Sequence, residues 1–115
     1  MGDRGQVKII HWDDKEIYLY THWGGGGLEA SVKKTLSKRS RWNDDSYLTR
    51  MLFCDMVEGY EKDETGFGIQ TVPNDDAEIT ITINPENQTI EVNRGGEITF
   101  DGSFKDFIMT VVDKQ

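Results

Sequence analysis

The segment "IYLYTHWGGGGLEASVKKTL", residues 17–36, places a histidine and a tryptophan directly before four consecutive glycines. An imidazole exchanges protons near neutral pH, and glycines before a helix N-terminus let backbone N–H groups approach a phosphate closely. The chemistry to consider is therefore anion binding on the loop 24–27, with His22 as an acid or base. The other interpretation is a flexible turn, because glycine loses more backbone entropy on ordering than other residues do.

The glycine loop matches neither of the common nucleotide-binding motifs. A P-loop ends in Gly-Lys-Ser/Thr, whereas Lys33 comes six residues after Gly27 and no such triplet follows. The dinucleotide fingerprint can start at Gly24, but Glu29 then stands where it needs glycine or alanine. The sequence therefore names no nucleotide, and we prefer the flexible turn.

Two histidines and one cysteine are the remaining residues with reactive side chains. In a tight hairpin His11 and His22 lie about 15 Å apart, by the rise of a strand, so one metal ion does not bind both. Cys54 is the only cysteine, which excludes an intramolecular disulfide. It falls within a long apolar helix, so we expect it to be buried. We therefore predict no metal site, no catalytic residue and no cofactor.

Positive charge and a tryptophan cluster between the two predicted helices. Five of the thirteen lysines and arginines fall within nine residues that end at Arg41, and Trp42 follows directly. Such a cluster could bind single-stranded nucleic acid through charge and stacking. The alternative is a solvated helix end with Trp42 packed against the second helix. We prefer this alternative because the rest of the chain is acidic, and nucleic acid is not the expected partner.

Net charge is distributed unevenly along the chain. The 115 residues carry a formal charge of −8, of which residues 1–57 contribute +1 and residues 58–115 contribute −9. A strongly negative half repels nucleic acid. This charge serves solubility, or it forms an acidic surface that docks on a basic partner.

The sequence predicts one α+β domain over residues 1–115, whose strands and helices position these residues. Runs of β-branched and aromatic residues predict a hairpin over 6–23, a short strand around 67–72 and a later meander in "AEITITI", "TIEV" and "EITF". A four-residue apolar spacing predicts a helix over about 28–38.

Two further segments complete the prediction. "RWNDDSYLTRMLFCDMVEGY" contains a second helix, capped by Asn43 or Asp44 and apolar around most of its circumference, so we expect it to be central and largely buried. The region after Ser103 could be strand, but helical spacing and a Ser103 cap favour a helix. The order β-β-α-α-β-β-β-β-α predicts a mainly antiparallel sheet with two or three helices packed on one face.

The expected location is the cytoplasm. No apolar run approaches the roughly 20 residues that span a bilayer, and "MGDRGQVKII" has no apolar signal region. We expect no contact with a membrane, and the sequence leaves the oligomeric state open.

Three ordered motifs resemble a family of small uncharacterised prokaryotic and phage-borne proteins. The matching stretches are Tyr18–Gly25, Arg41–Arg50 and Thr65–Ile69, within roughly the first 70 residues. The family has no established activity, so the resemblance implies no catalytic residues. It implies that the His22–Gly25 corner acts as a unit, although this chain departs from the pattern by having four glycines.

The resulting hypothesis is a small acidic module without catalytic activity that binds another macromolecule, with a protein as the expected partner. Exposed tyrosine, tryptophan and arginine are typical anchors of such interfaces. The candidate binding residues are Tyr18, Tyr20, His22, Trp23, Gly24, Gly25, Arg41 and Trp42. One alternative is an enzyme or an anion- or nucleotide-binding protein that uses the glycine loop and His22. Another is a phage or immunity-type inhibitor that docks its acidic sheet on a basic partner.

Overall fold

The elements follow the predicted order along the chain. The structure, a computed structural model, describes residues 4–11, 13–22 and 27–110. The elements are β1 (Gly5–Ile10), β2 (Glu16–Thr21), α1 (Leu28–Leu36), α2 (Asp45–Met56), β3 (Phe67–Gln70), β4 (Ile79–Asn84), β5 (Thr89–Arg94), β6 (Glu97–Ser103) and α3 (Phe104–Ile108). The predicted α+β class is confirmed.

The six strands form one mixed sheet in the order β3-β2-β1-β4-β5-β6. Four neighbouring pairs are antiparallel, as the prediction of a mainly antiparallel sheet requires, while β1 and β4 are parallel. The parallel pair arises because β3 joins the sheet outside β2 and β4 joins it outside β1. The chain between them, residues 71–78, must therefore cross both strands of the hairpin; we call it the crossing segment.

One face of the sheet supplies the core. Alternation along β1 and β2 places Val7 opposite Leu19, and the parallel register places Val7 beside Ile81, all three fully buried. These residues and the apolar sides of all three helices form one cluster. Its helical members are Leu28, Val32, Leu36, Leu48, Leu52, Phe104 and Phe107. The helices therefore pack on one face, the helix face, and we call the other the open face.

The helix ends carry the caps that the sequence indicates. The Asp44 side chain accepts a hydrogen bond from the Tyr47 backbone N–H at 3.1 Å, and Ser103 accepts one from Asp106 at 3.0 Å. The region after Ser103 is thus a helix, although α3 is only five residues long. Because α3 begins where β6 ends, a capped turn reverses the chain onto the core at that point.

The prediction that α2 is largely buried is wrong. Asp45, Leu48 and Leu52 are buried, whereas Tyr47 is 50% exposed and Cys54 is exposed. The helix lies in an outer layer against α1 and β1, so a single stripe of side chains meets the core. Cys54 lies off this stripe and accepts a hydrogen bond from the Arg50 guanidinium at 3.7 Å.

Helix length and hydropathy also bear on the membrane prediction. Within the described ranges, no helix has both the length and the apolar composition needed to cross a bilayer.

Candidate functional site

A network of hydrogen-bonded polar side chains lies on the open face at the end of β2. The imidazole Nδ1 of His22 is 2.9 Å from the Tyr20 hydroxyl and 3.2 Å from Arg4 Nε. A guanidinium only donates, so Nδ1 is an acceptor and the Tyr20 O–H donates to it as well. The geometry therefore assigns the ring proton to Nε2. Arg4 also holds Asp76 of the crossing segment at 3.1 Å.

Strand register brings these side chains together. Tyr20 and His22 are two residues apart and so lie on the same face, opposite the buried Leu19. Gly5 pairs with Thr21, which places Arg4 beside His22. The His22 backbone N–H donates to the Gly66 carbonyl at 2.8 Å and fixes this corner to the start of β3. His22, the one described residue of the predicted corner, thus lies where β1, β2, β3 and the crossing segment meet.

Tyr18 belongs to a different polar group on the same face. Only 4% of it is exposed, and its hydroxyl donates to Glu16 Oε1 at 2.5 Å while Lys8 lies 3.3 Å from Glu16 Oε2. Burial, and then the neighbouring carboxylate, raises the pKa of Tyr18 to about 12. The Tyr18 hydrogen bond is the main cause that lowers the pKa of Glu16 below 4.5, and Lys8 adds to it.

Replacing Tyr18 with phenylalanine should make stability less sensitive to alkaline pH. The pKa of tyrosine in the unfolded chain is 10. Below this pH Tyr18 is protonated in both the folded and the unfolded state, so its contribution to the free energy of unfolding is fully present. As pH rises from 10 to about 12 the unfolded chain ionises first and the free energy of unfolding falls. We expect this fall in the free energy of unfolding to be about 1–2 kcal/mol smaller in Tyr18→Phe. This is less than the full pKa shift implies, because Glu16 is partly exposed and solvent weakens its interaction with Tyr18.

Urea unfolding at about pH 9 and about pH 12 measures this difference. Tyr60→Phe, which removes the hydroxyl of a tyrosine that is 57% exposed, is the control and should follow the wild type. If the wild type and Tyr18→Phe lose the same free energy of unfolding between these two pH values, the raised pKa of Tyr18 is contradicted.

Arg41 and Trp42 lie elsewhere. The Trp42 indole N–H donates to the Leu36 carbonyl at 3.0 Å, and its ring packs edge-on against Phe104 at 5.5 Å on the helix face. The Arg41 guanidinium lies 4.8 Å from the centre of the Tyr47 ring. Since Tyr20 and His22 point from the opposite face, the sheet separates them from Trp42, and these residues do not form one site. Trp23, Gly24 and Gly25 lie outside the described residues.

Two of the five residues of the basic cluster near Trp42 are paired with acids. Lys34 bonds Glu58 at 2.6 Å, and Lys38 lies 3.4 Å from Asp55. Trp42 is partly buried against the core rather than open to a base. These contacts favour the helix-end interpretation over nucleic-acid binding.

The first turn of α1 contains an acidic residue. Gly27 precedes the helix without a side-chain cap, and Glu29 lies in the first turn. Glu29 pairs with Arg94 of β5 at 2.8 Å, with 17% of its side chain exposed. A carboxylate in the first turn interacts favourably with the helix dipole, as a bound anion would. This position therefore weighs against anion binding at the helix N-terminus.

The two histidines have separate partners. His11 Nδ1 donates to Asp45 Oδ2 at 2.8 Å and joins the end of β1 to the start of α2. Its Nε2 is buried and, in the described part of the chain, bonds to no serine, threonine or cysteine that it could activate. Among the described residues, no group of three histidine, cysteine, aspartate or glutamate side chains is placed to hold a metal ion.

A surface that the sequence did not single out lies along β3. Three of its large apolar side chains are more than half exposed: Tyr60 (57%), Ile69 (62%) and Val72 (62%). The Tyr60 ring lies 6.2 Å from that of Phe67. We call these four residues the β3 surface. The sequence predicted the strand, but only the strand order shows that it is an edge.

Comparisons with protein-family models, with curated protein sequences and with solved structures find no match. The resemblance to the phage and prokaryotic family therefore stays a prediction.

Proposed function

We propose that this chain is a non-catalytic module that binds another protein through the β3 surface. The observation that carries the proposal is the group of three large apolar side chains, each more than half exposed, on one edge strand and its flanks. Single exposed apolar residues are ordinary, but several large ones along one edge strand and its flanks favour an interaction site. Tyrosine in such a group supplies rigid, amphipathic contact area.

Two residues of the β3 surface, Tyr60 and Phe67, are held in place before binding. Tyr60 sits in a turn held by two backbone hydrogen bonds, from its own N–H to Val57 at 2.7 Å and from Asp63 to its carbonyl at 3.1 Å. Its ring packs beside Phe67, so both side chains lose little freedom on binding. A preorganised aromatic pair favours a defined protein partner over unspecific adhesion.

The corner at His22 supports β3 through its backbone. His22 bonds Gly66, the residue before β3, and Tyr20 lies opposite Gly68. The side chains of Tyr20 and His22 lie on the open face, on the other side of the sheet from Phe67 and Ile69, so they are not part of the proposed interface. Arg41 and Trp42 take no part in it.

The location proposed for this module is the cytoplasm. Its single cysteine is a free and exposed thiol, which suits a reducing compartment.

Replacing Ile69 with serine tests the proposed function. Because the side chain is 62% exposed, folding should survive, while affinity for the partner should fall about 5- to 30-fold, the effect of a moderate interface anchor. Candidate partners are the proteins that the wild-type chain retains in quantitative affinity capture, and their binding to the wild type and to Ile69→Ser is then measured by calorimetry with purified proteins.

Met109→Ser is the matched control, since Met109 is 74% exposed and lies on the C-terminal side of α3. It should bind like the wild type. A partner that binds Ile69→Ser and wild type equally would overturn the assignment of the β3 surface. A wild-type chain that retains no protein at all would overturn the proposed function.

A further inference from the structure

We propose that the partner contributes an extended, basic segment that pairs with the open edge of β3 as a seventh strand. This inference rests on the proposed function and names the chemistry of its partner. Strand addition is a common way to recognise an extended peptide, in which the backbone supplies affinity and alternate side chains supply specificity.

The open edge of β3 has backbone groups available for pairing. His22 N–H donates to Gly66 O, and these residues continue the register in which Thr21 faces Phe67. In an antiparallel ladder hydrogen-bonded pairs alternate with non-bonded ones. Tyr20–Gly68 is therefore a bonded pair, and the N–H and C=O groups of Phe67 and Ile69 point away from β2, towards the open edge.

Apolar side chains belong to these same two residues. Phe67 and Ile69 lie on the helix face, two residues apart, and Ile69 is 62% exposed. On the opposite side of the strand Gly68 has open space where a side chain would begin. An added strand would thus find apolar contacts on one face and room on the other.

The other sheet edge is protected against pairing and β3 is not. β6 has a bulge in its pairing with β5, between Val92 and Asn93, and it carries Glu97 and Asp101. Bulges and charged side chains are devices that keep edge strands from pairing. The β3 sequence, "FGIQ", contains no charged residue, and among the described residues no strand pairs with its outer side.

The charge around β3 indicates which kind of strand would pair with its open edge. Residues 57–78, which contain β3 and both its flanks, hold seven acidic residues and one lysine. Glu58 and Asp76 are paired with Lys34 and Arg4, and the others leave the flanks negative. A second copy of this chain would bring the same charges to the edge, and nucleic acid would be repelled. A basic extended polypeptide complements both the charge and the edge.

Hydrogen exchange tests the pairing directly. The probe is a blocked peptide of about nine residues that alternates lysine and valine, added to the full labelled chain in NMR exchange measurements. We expect the amides of Phe67 and Ile69 to exchange at least about tenfold more slowly with the peptide present, while those of Gly68 and Gln70, already bonded to β2, change little. Raising salt from about 50 to about 500 mM should weaken the protection.

Two matched peptides serve as controls. A glutamate–valine peptide should give no protection, and a lysine–valine peptide that is N-methylated at alternate residues along one edge should bind far more weakly. Equal binding of the N-methylated peptide, or no slowing at Phe67 and Ile69, would overturn strand addition. If the captured partner still depends on Ile69 in that case, the proposed function stands and only strand addition fails.

Discussion

Replacing Phe104 with alanine is expected to lower the free energy of unfolding by about 3–5 kcal/mol. Phe104 is fully buried and is the first residue of α3, and its backbone N–H donates to the Gln88 carbonyl at 2.8 Å. Alanine leaves a cavity under the helix layer and removes the edge-on contact with Trp42. A domain with about 5–15 kcal/mol of total stability would become marginal.

Chemical denaturation of matched variants measures this loss. Phe104→Leu should lose roughly a third as much because it keeps most of the apolar volume. The control Met109→Ala removes a side chain that is 74% exposed and should change stability by less than about 0.5 kcal/mol. A Phe104→Ala loss below about 1.5 kcal/mol would contradict the placement of α3 in the core.

Gln6→Ala is expected to lose about 2–3 kcal/mol. Gln6 is 4% exposed, and its amide accepts from the Asn74 N–H at 2.8 Å and donates to the Asn74 carbonyl at 3.3 Å and to Thr80 Oγ1 at 3.1 Å. These bonds hold the crossing segment against the open face. Alanine would remove the partner of the Asn74 N–H, while the Asn74 carbonyl would keep the hydrogen bond from the Ala77 N–H at 3.2 Å.

The matched control is Gln70→Ala, at the end of β3. Its amide makes one exposed bond, to the Val72 carbonyl at 2.8 Å, so its loss should stay below about 1 kcal/mol. Hydrogen exchange should locate the Gln6→Ala effect, with faster exchange at Asn74 and at Glu78, which bonds the Arg4 carbonyl. Equal losses in the two variants would contradict the role of Gln6 as the clamp of the crossing segment.

Local patterns in the sequence predicted most of the elements. The acid at Asp44, the Ser103 cap and the apolar spacing around them are short-range signals, and each has its partner within a few residues. Tertiary arrangement is a long-range property. The parallel pairing of β1 with β4 depends on β3 joining outside β2, which no local pattern encodes.

The burial of α2 was predicted wrongly because it, too, depends on tertiary arrangement. An apolar circumference predicts burial on every side, but burial depends on how many layers cover a helix, and α2 lies in an outer layer. Trp42 shows the converse. The residues just before it include the basic Arg39 and Arg41, whereas its ring packs against Phe104 in the core.

The candidate site was predictable only in part. The pairing of Tyr20 with His22 follows from two-residue spacing on a strand. Arg4 reaches His22 through the strand register, and Asp76 of the crossing segment bonds Arg4, so neither contact follows from a local pattern. The β3 surface depends on strand order alone, because an exposed Ile69 in an edge strand and a buried one in a central strand have the same sequence pattern. For this reason we place the proposed interface at the β3 edge rather than at the glycine loop.

The most direct measurement for the proposed interface is site-specific photo-cross-linking in cells. A benzophenone amino acid is placed at Ile69, and in separate chains at Ile98 and Met109, which are comparably exposed at 53% and 74%. The proposal predicts a discrete cross-linked protein from position 69 and none from positions 98 and 109. No adduct at position 69, or the same adducts from all three positions, would contradict binding through the β3 surface.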